Sequence, residues 1–116
     1  MISYGKHFID RGDIREVLKV LKSDNLTQGP KVEKFEYNLK KKLNAKYALA
    51  VSSGTAALHL IGLSLGWKKN DIILASPITF VSSINSAIYC GATPDFVDID
   101  PQTYNMSARH LEEKIN

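Results

Sequence analysis

The residues best placed to do chemistry lie in Val51-Ser52-Ser53-Gly54-Thr55-Ala56-Ala57-Leu58, where a short apolar run feeds a small-residue turn that opens a helix. A turn of this kind points free backbone N–H groups, hydroxyls and the positive end of a helix dipole at one spot, which suits a phosphate. Gly54 lets a ligand come close to the backbone, and Ser53 and Thr55 add hydroxyl donors. No Gly-Lys-Ser/Thr follows, so this is not a Walker A loop, and the Gly-x-Gly-x-x-Gly dinucleotide pattern is absent. The same turn is also an ordinary helix cap, and the residues alone leave both readings open. A second stretch, Ser76-Pro77-Ile78-Thr79-Phe80-Val81-Ser82-Ser83, joins another strand to another helix. In an open parallel sheet, turns of this type share the edge where ligands bind. Phe80 there could stack on a flat heterocycle, although taken alone it reads as a core residue.

Other reactive side chains are scattered. His7, His59 and His110 have no carboxylate or cysteine at triad or metal spacing. His59 and Trp67 read as packing residues, and Cys90 as a small core residue with nothing basic beside it. Lys40-Lys41-Lys42 is the only basic run, reads as a solvated helix face, and has no aromatic interleaving of the kind that binds nucleic acid.

The elements that must position these groups follow from periodicity. Ile14, Val17, Leu18 and Leu21 form one helical stripe, with Asp10 as its cap and Asp13 in its first turn. Gly29-Pro30 starts a second helix with Val32, Phe35, Leu39 and Leu43 on its apolar face and Asn44 as its stop. Tyr47–Val51 is continuously apolar, as expected of a strand buried on both faces. A third helix from Ala56 to Leu65, closed by Gly66, is apolar almost all round and is expected to be buried. Then come a strand at Asp71–Ala75, a helix at Thr79–Cys90 ending at Gly91, a strand at Phe96–Ile99, and a helix capped by Ser107 with Leu111 and Ile115 on one face. Strands alternating with helices predict an α/β parallel sheet between helical layers.

The chain has 116 residues and 12.9 kDa, with 44% hydrophobic and 23% charged residues, which excludes a disordered or low-complexity polypeptide. The net charge of +3 and pI near 9.0 are mild and select no partner. No apolar run reaches the roughly 18 residues of a membrane span, and no signal core opens the chain. One cysteine makes no internal disulfide, so a cytoplasmic location without membrane or nucleic-acid partners is expected. The sequence reaches Asn116 inside a helical pattern without a C-cap.

Ser53-Gly54-Thr55-Ala56-Ala57-Leu58 followed by Pro77-Ile78-Thr79-Phe80-Val81-Ser82 resembles the pyridoxal-phosphate-dependent sugar aminotransferases of the DegT/StrS type. Leu26-Thr27-Gln28-Gly29-Pro30 with Val32 and Phe35-Glu36 matches the family's opening segment, and Asp98-Ile99-Asp100-Pro101 with Thr103-Tyr104-Asn105 the stretch after its third strand. Tyr4-Gly5-Lys6 with Asn25–Gly29 is most similar to the branch that serves pseudaminic-acid-type glycan synthesis. The resemblance implies the start of a fold-type-I large domain, a three-layer α/β/α unit on a mainly parallel sheet, incomplete here. Residues 1–45 would be an N-terminal helical segment, and 46–116 the beginning of the cofactor-binding domain.

On the same resemblance, Ser53, Gly54 and Thr55 would hold the phosphate of pyridoxal phosphate and Phe80 would stack on its ring. Tyr4 and the segment Asp24, Asn25, Leu26 and Thr27 would line the sugar-nucleotide site. The reaction implied moves an amino group from glutamate to a 4-keto-6-deoxy sugar nucleotide, in a homodimer that shares its active sites. It needs a lysine that condenses with the cofactor and an acidic residue at the pyridinium nitrogen. In the family both come after the third strand, so they are expected beyond Asn116, and no catalytic residue and no activity is expected of this stretch alone. Asp95, Asp98 and Asp100 do not match the pyridinium partner and read as structural. The alternative is a free-standing, non-catalytic α/β module that binds a phosphate-bearing ligand.

Overall fold

A computed structural model describes residues 5–116, which fall into two compact units divided between Ala50 and Val51.

In the first unit, α1 (Arg11–Leu21) begins with a reciprocal cap. The Asp10 carboxylate accepts from the N–H groups of Gly12 and Asp13 at 2.6 and 3.0 Å, and the Asp13 carboxylate accepts from the Asp10 N–H at 3.0 Å. α2 (Pro30–Lys42) has Pro30 in its first turn, where a missing N–H costs nothing, and Lys40, Lys41 and Lys42 in its last, where the helix dipole favours cations. Asn44 adopts φ 49°, the left-handed geometry that stops a helix. Glu16 on α1 takes hydrogen bonds from Lys19 and from Lys31 on α2, which ties the two helices together. The apolar stripe of α1 is present, but Ile14, Val17, Leu18 and Leu21 are all exposed.

Residues 47–51 correct the expectation of a strand. They alternate in burial, with Ala48 and Ala50 half-buried and Tyr47, Leu49 and Val51 exposed, but they pair with no other strand. A strand needs a neighbour for its N–H and C=O groups, and no described segment supplies one.

The second unit carries α3 (Gly54–Ser64), β1 (Ile72–Ala75), α4 (Ser82–Tyr89), β2 (Thr93–Phe96) and α5 (Ala108–Ile115). β1 and β2 run parallel, from Ile72 opposite Thr93 to Ala75 opposite Phe96, with α4 as the crossover. β2 lies three residues earlier than the alternation predicts. Thr93 donates to Asp71 O, and Val97 donates to Ala75 O at 3.0 Å, which closes the ladder before Asp98 and Ile99. Ile99 instead bridges antiparallel to Met106.

α4 is also shorter than the predicted span. Ser83 donates to Phe80 O and Thr79 Oγ1 lies 3.1 Å from Ser83 Oγ, so residues 76–81 form a loop before the helix. Gly66 (φ 76°) and Gly91 (φ 80°) end α3 and α4 in the left-handed region, as the sequence predicts.

The core of this unit is small. Ala87, Ala92 and Val97 are its buried apolar residues, with Ser82, Ser86 and Ser107 buried beside them. The expected burial of α3 does not hold: Leu60, Ile61, Leu63 and Leu65 are exposed and only Gly62 is buried. Among the described elements α3 packs chiefly on α4, so much of this all-round apolar helix stays uncovered. At that contact Gly62 admits Trp67 and Cys90 so closely that a Cβ on it would stand 2.6 Å from Trp67 Cε3 and 2.8 Å from Cys90 Sγ. His59 and Tyr89 meet edge-to-face, with ring centroids 5.4 Å apart.

Candidate functional site

Ser53, Gly54 and Thr55 come together at the start of α3. Ser53 is the N-cap, and its Oγ accepts from the Ala56 N–H at 3.1 Å while its carbonyl accepts from Ala57. The N–H groups of Gly54 and Thr55 have no acceptor among the described residues. A helix leaves its first N–H groups free, and the capping serine satisfies only one of them. A Cβ built on Gly54 meets nothing within 4 Å, so this face of the turn is open, and Gly54 has no positive φ that would itself demand glycine. Any requirement for glycine at 54 therefore comes from what approaches the turn.

Phe80 sits in the loop that leads from β1 into α4 and is 73% exposed, which overturns its reading as a core residue in this chain. Its ring stands at the leading end of the helix that packs on α3. In the same loop Ser76 Oγ accepts from the Ile78 N–H at 3.2 Å.

Asp24, Asn25, Leu26 and Thr27 form the exposed connection between α1 and α2 in the first unit. This connection is tight: Gln28 adopts φ 48°, and a Cβ on Gly29 would lie 3.1 Å from Asn25 Cβ. Asn25 and Leu26 line a pocket of about 210 Å³ with Val20, Ser23, Pro30 and Val32. Asp24 and Thr27 do not line it. Tyr4, the remaining expected substrate residue, lies outside the described residues.

The three aspartates around β2 have structural partners. Asp95 pairs with Lys114 of α5 at 2.8 Å, and Lys114 also donates to Phe96 O at 2.6 Å. Asp100 Oδ1 accepts from Gln102 and Thr103 at 2.8 and 3.0 Å, and Asp98 accepts from the Ile99 N–H at 2.8 Å. The Lys114 hydrogen bond beside Asp95, and the two N–H donors at Asp100, hold both carboxyls below the usual carboxylate range. Among the described residues no group of three His, Cys, Asp or Glu could hold a metal ion.

One polar contact was not legible in the sequence. The Glu36 Oε1 on α2 accepts the Ala50 N–H at 2.7 Å. No helical spacing links positions so far apart, and only Glu36's place in the Phe35-Glu36 motif marked it.

The model of the DegT/DnrJ/EryC1/StrS aminotransferase family matches residues 8–116. The chain belongs to that family. It is 40% identical over 114 residues to the spore coat polysaccharide biosynthesis protein SpsC of Bacillus subtilis, covering 98% of this chain and 29% of that protein. It is 38% identical over 115 residues to the UDP-4-amino-4,6-dideoxy-N-acetyl-beta-L-altrosamine transaminase of Campylobacter jejuni, covering 99% of this chain and 30% of that enzyme. Among solved structures, the PLP-form of the putative sugar aminotransferase Spr1654 from Streptococcus pneumoniae superposes with a TM-score of 0.90 at 31% identity, over 97% of this chain and 29% of that one. The chain thus spans under a third of the length of these family members. The α/β parallel architecture expected from the motifs is the one it shares with this aminotransferase structure.

Proposed function

We propose that this chain is the part of a pyridoxal-phosphate-dependent sugar-nucleotide aminotransferase that grips the cofactor phosphate and helps to line the sugar-nucleotide site. The observation that carries the reading is the start of α3. Two N–H groups without an acceptor lie beside an open face at Gly54, flanked by the hydroxyl residues Ser53 and Thr55, in a stretch from Val51 to Leu58 with no acidic residue. That donor set fits a phosphate and would repel no anion. Ser53, Gly54 and Thr55 bind the phosphate, and the exposed ring of Phe80 stacks on the flat heterocycle. When bound, pyridoxal phosphate supplies the electron sink for amino-group transfer. The fit to the donor set and the PLP-form of the Streptococcus pneumoniae structure support this assignment.

Tyr4 with Asp24, Asn25, Leu26 and Thr27 belongs to the substrate side in this reading, and the pocket beside Asn25 and Leu26 supports part of it. In this reading the stretch to residue 45, which carries α1 and α2, precedes in chain order the cofactor-binding domain from 46, whose compact unit starts at Val51. The lysine and the acidic partner of the cofactor come from chain beyond Asn116, so this stretch alone is inactive. The whole enzyme works as a cytoplasmic homodimer; no helix among the described residues is long and apolar enough to cross a membrane.

For the substrate we infer a 4-keto-6-deoxy sugar nucleotide, with glutamate as amino donor, in pseudaminic-acid-type surface-glycan synthesis. The identity to the altrosamine transaminase supports this sugar, and the similar identity to SpsC calls for a panel of sugars in the test. The test supplies the full-length protein carrying this chain with pyridoxal phosphate, glutamate and several 4-keto-6-deoxy sugar nucleotides. Mass spectrometry should find the 4-amino product of an N-acetylated UDP sugar, and none from residues 1–116 alone. A cofactor-loaded protein that aminates no keto sugar in the panel would overturn the reading.

A further inference from the structure

We infer that Thr79 and Ser83 are positioning residues for the ring of Phe80, an inference that rests on the cofactor reading above. All three lie in the unit from Val51 to Asn116. Phe80 is exposed, so neighbouring side chains do little to aim its ring, and its direction depends on the backbone that carries it. That backbone is bracketed. Ahead of the ring, Thr79 Oγ1 lies 3.1 Å from Ser83 Oγ, a hydrogen bond that either hydroxyl can donate. Behind it, the Phe80 carbonyl accepts from the Ser83 N–H at 3.0 Å. The residue before Phe80 and the carbonyl of Phe80 are thus tied to one residue, which restrains the two soft dihedrals between them. Ser83 is a firm anchor: it is half-buried in the first turn of α4, and its carbonyl accepts from the buried Ser86 hydroxyl at 3.1 Å. α4 in turn packs on α3, the helix that starts at the 53–55 turn. Upstream, Ser76 Oγ accepts from the Ile78 N–H at 3.2 Å, so the loop is held before it reaches Thr79. A ring that must lie flat on a heterocycle loses contact when it tilts, and holding it near that pose in advance lowers the ordering cost of binding. The two hydroxyls therefore act through Phe80, not by touching the cofactor.

The test uses variants of the full-length protein. Thr79→Val removes one hydroxyl and keeps the β-branched shape, Thr79→Ser keeps the hydroxyl, and Ser83→Ala removes the other partner. Thr79→Val is also made on a Phe80→Ala background. Two quantities are read: hydrogen exchange of the amide at 83 in cofactor-free protein, and the dissociation constant for pyridoxal phosphate. Thr79→Val should speed that exchange and weaken the cofactor, each about two- to tenfold, the scale of one lost hydrogen bond. Thr79→Ser should hold both near the native values. On the Phe80→Ala background Thr79→Val should weaken the cofactor no further, because the ring it positions is gone. If Thr79→Val does not fold, Ser83→Ala supplies the same contrast from the other partner. Unchanged affinity in Thr79→Val, or an equal loss with and without the Phe80 ring, would overturn the positioning role and leave the cofactor reading standing. Thr79→Ser behaving like Thr79→Val would overturn the role of the hydroxyl. Phe80→Ala binding the cofactor as tightly as the native protein would overturn the stacking of Phe80, and this inference with it.

Discussion

Replacing Gly54 by alanine separates what the fold needs from what the ligand needs. In the structure an added Cβ at 54 touches nothing within 4 Å, and the backbone there is not left-handed. Alanine also narrows the unfolded ensemble, an effect of about 0.4–1 kcal/mol in favour of the folded state. Amide protection of α3 in cofactor-free protein should therefore hold or rise. The open face is also the face a phosphate must approach, and a methyl group there holds an anion off the Gly54 and Thr55 N–H groups. Each hydrogen bond to a charged group contributes about 1.5–3 kcal/mol, so losing one weakens binding roughly ten- to hundredfold. The assay pairs hydrogen exchange of α3 with an absorbance titration of pyridoxal phosphate on the full-length protein. Lower protection of α3 would refute the strain-free geometry, and unchanged affinity would refute the phosphate assignment.

Gly62→Ala should do the reverse, lowering stability while leaving the turn's chemistry intact. Overpacking against Trp67 and Cys90 costs about 1–3 kcal/mol, against about 1 kcal/mol gained in helix propensity, and denaturant unfolding should find the loss shrinking in a Trp67→Leu background. Hydrogen bonds from Lys19 and Lys31 lower the Glu16 pKa from 4.5 to about 2, so Glu16 stabilises the folded helices above pH 4.5 and loses that effect as pH falls through 2. Protection of α1 and α2 should accordingly differ between the native protein and Glu16→Gln at neutral pH, converge in acid, and differ less in high salt because the pair is exposed. Residues 1–116 expressed alone should self-associate in sedimentation runs, since Ile14, Val17, Leu60, Ile61 and Phe80 are all exposed. A monomer with a cooperative thermal transition that does not shift with concentration would contradict this.

What the sequence disclosed divides along a physical line. Signals that act within a few residues were legible: the Asp10–Asp13 cap, Pro30 in a first turn, the left-handed Asn44, Gly66 and Gly91, and Ser107 accepting from the His110 N–H. The small-residue turn at 53–55 belongs to this class, which is why the start of α3 is legible in the sequence alone. Features that depend on partners were not legible. Tyr47–Val51 has the composition of a buried strand, but strand formation depends on what lies alongside. The apolar circumference of α3 predicts burial, yet burial requires neighbours on every side. The displacement of β2 toward Thr93 came from register with β1, which no single segment encodes. Glu36 and Ala50 illustrate the same limit at the level of one hydrogen bond.

The parallel pair also has a kinetic consequence. Ile72 meets Thr93 and Ala75 meets Phe96 with only α4 between them, and α3, the helix just ahead, packs on α4. Parallel pairing is ordinarily slow because a long loop must close before any ladder bond rewards it. Here the connection, residues 76–92 with α4 inside it, is short, so the search is over nearby partners and the entropy of closure is low. The stretch from α3 to β2 can therefore form its contacts early, as a nucleus for the rest of the fold. The α3 N-terminus, with the Ser53–Thr55 turn on it, would be set before the slower parts of the fold have found their places.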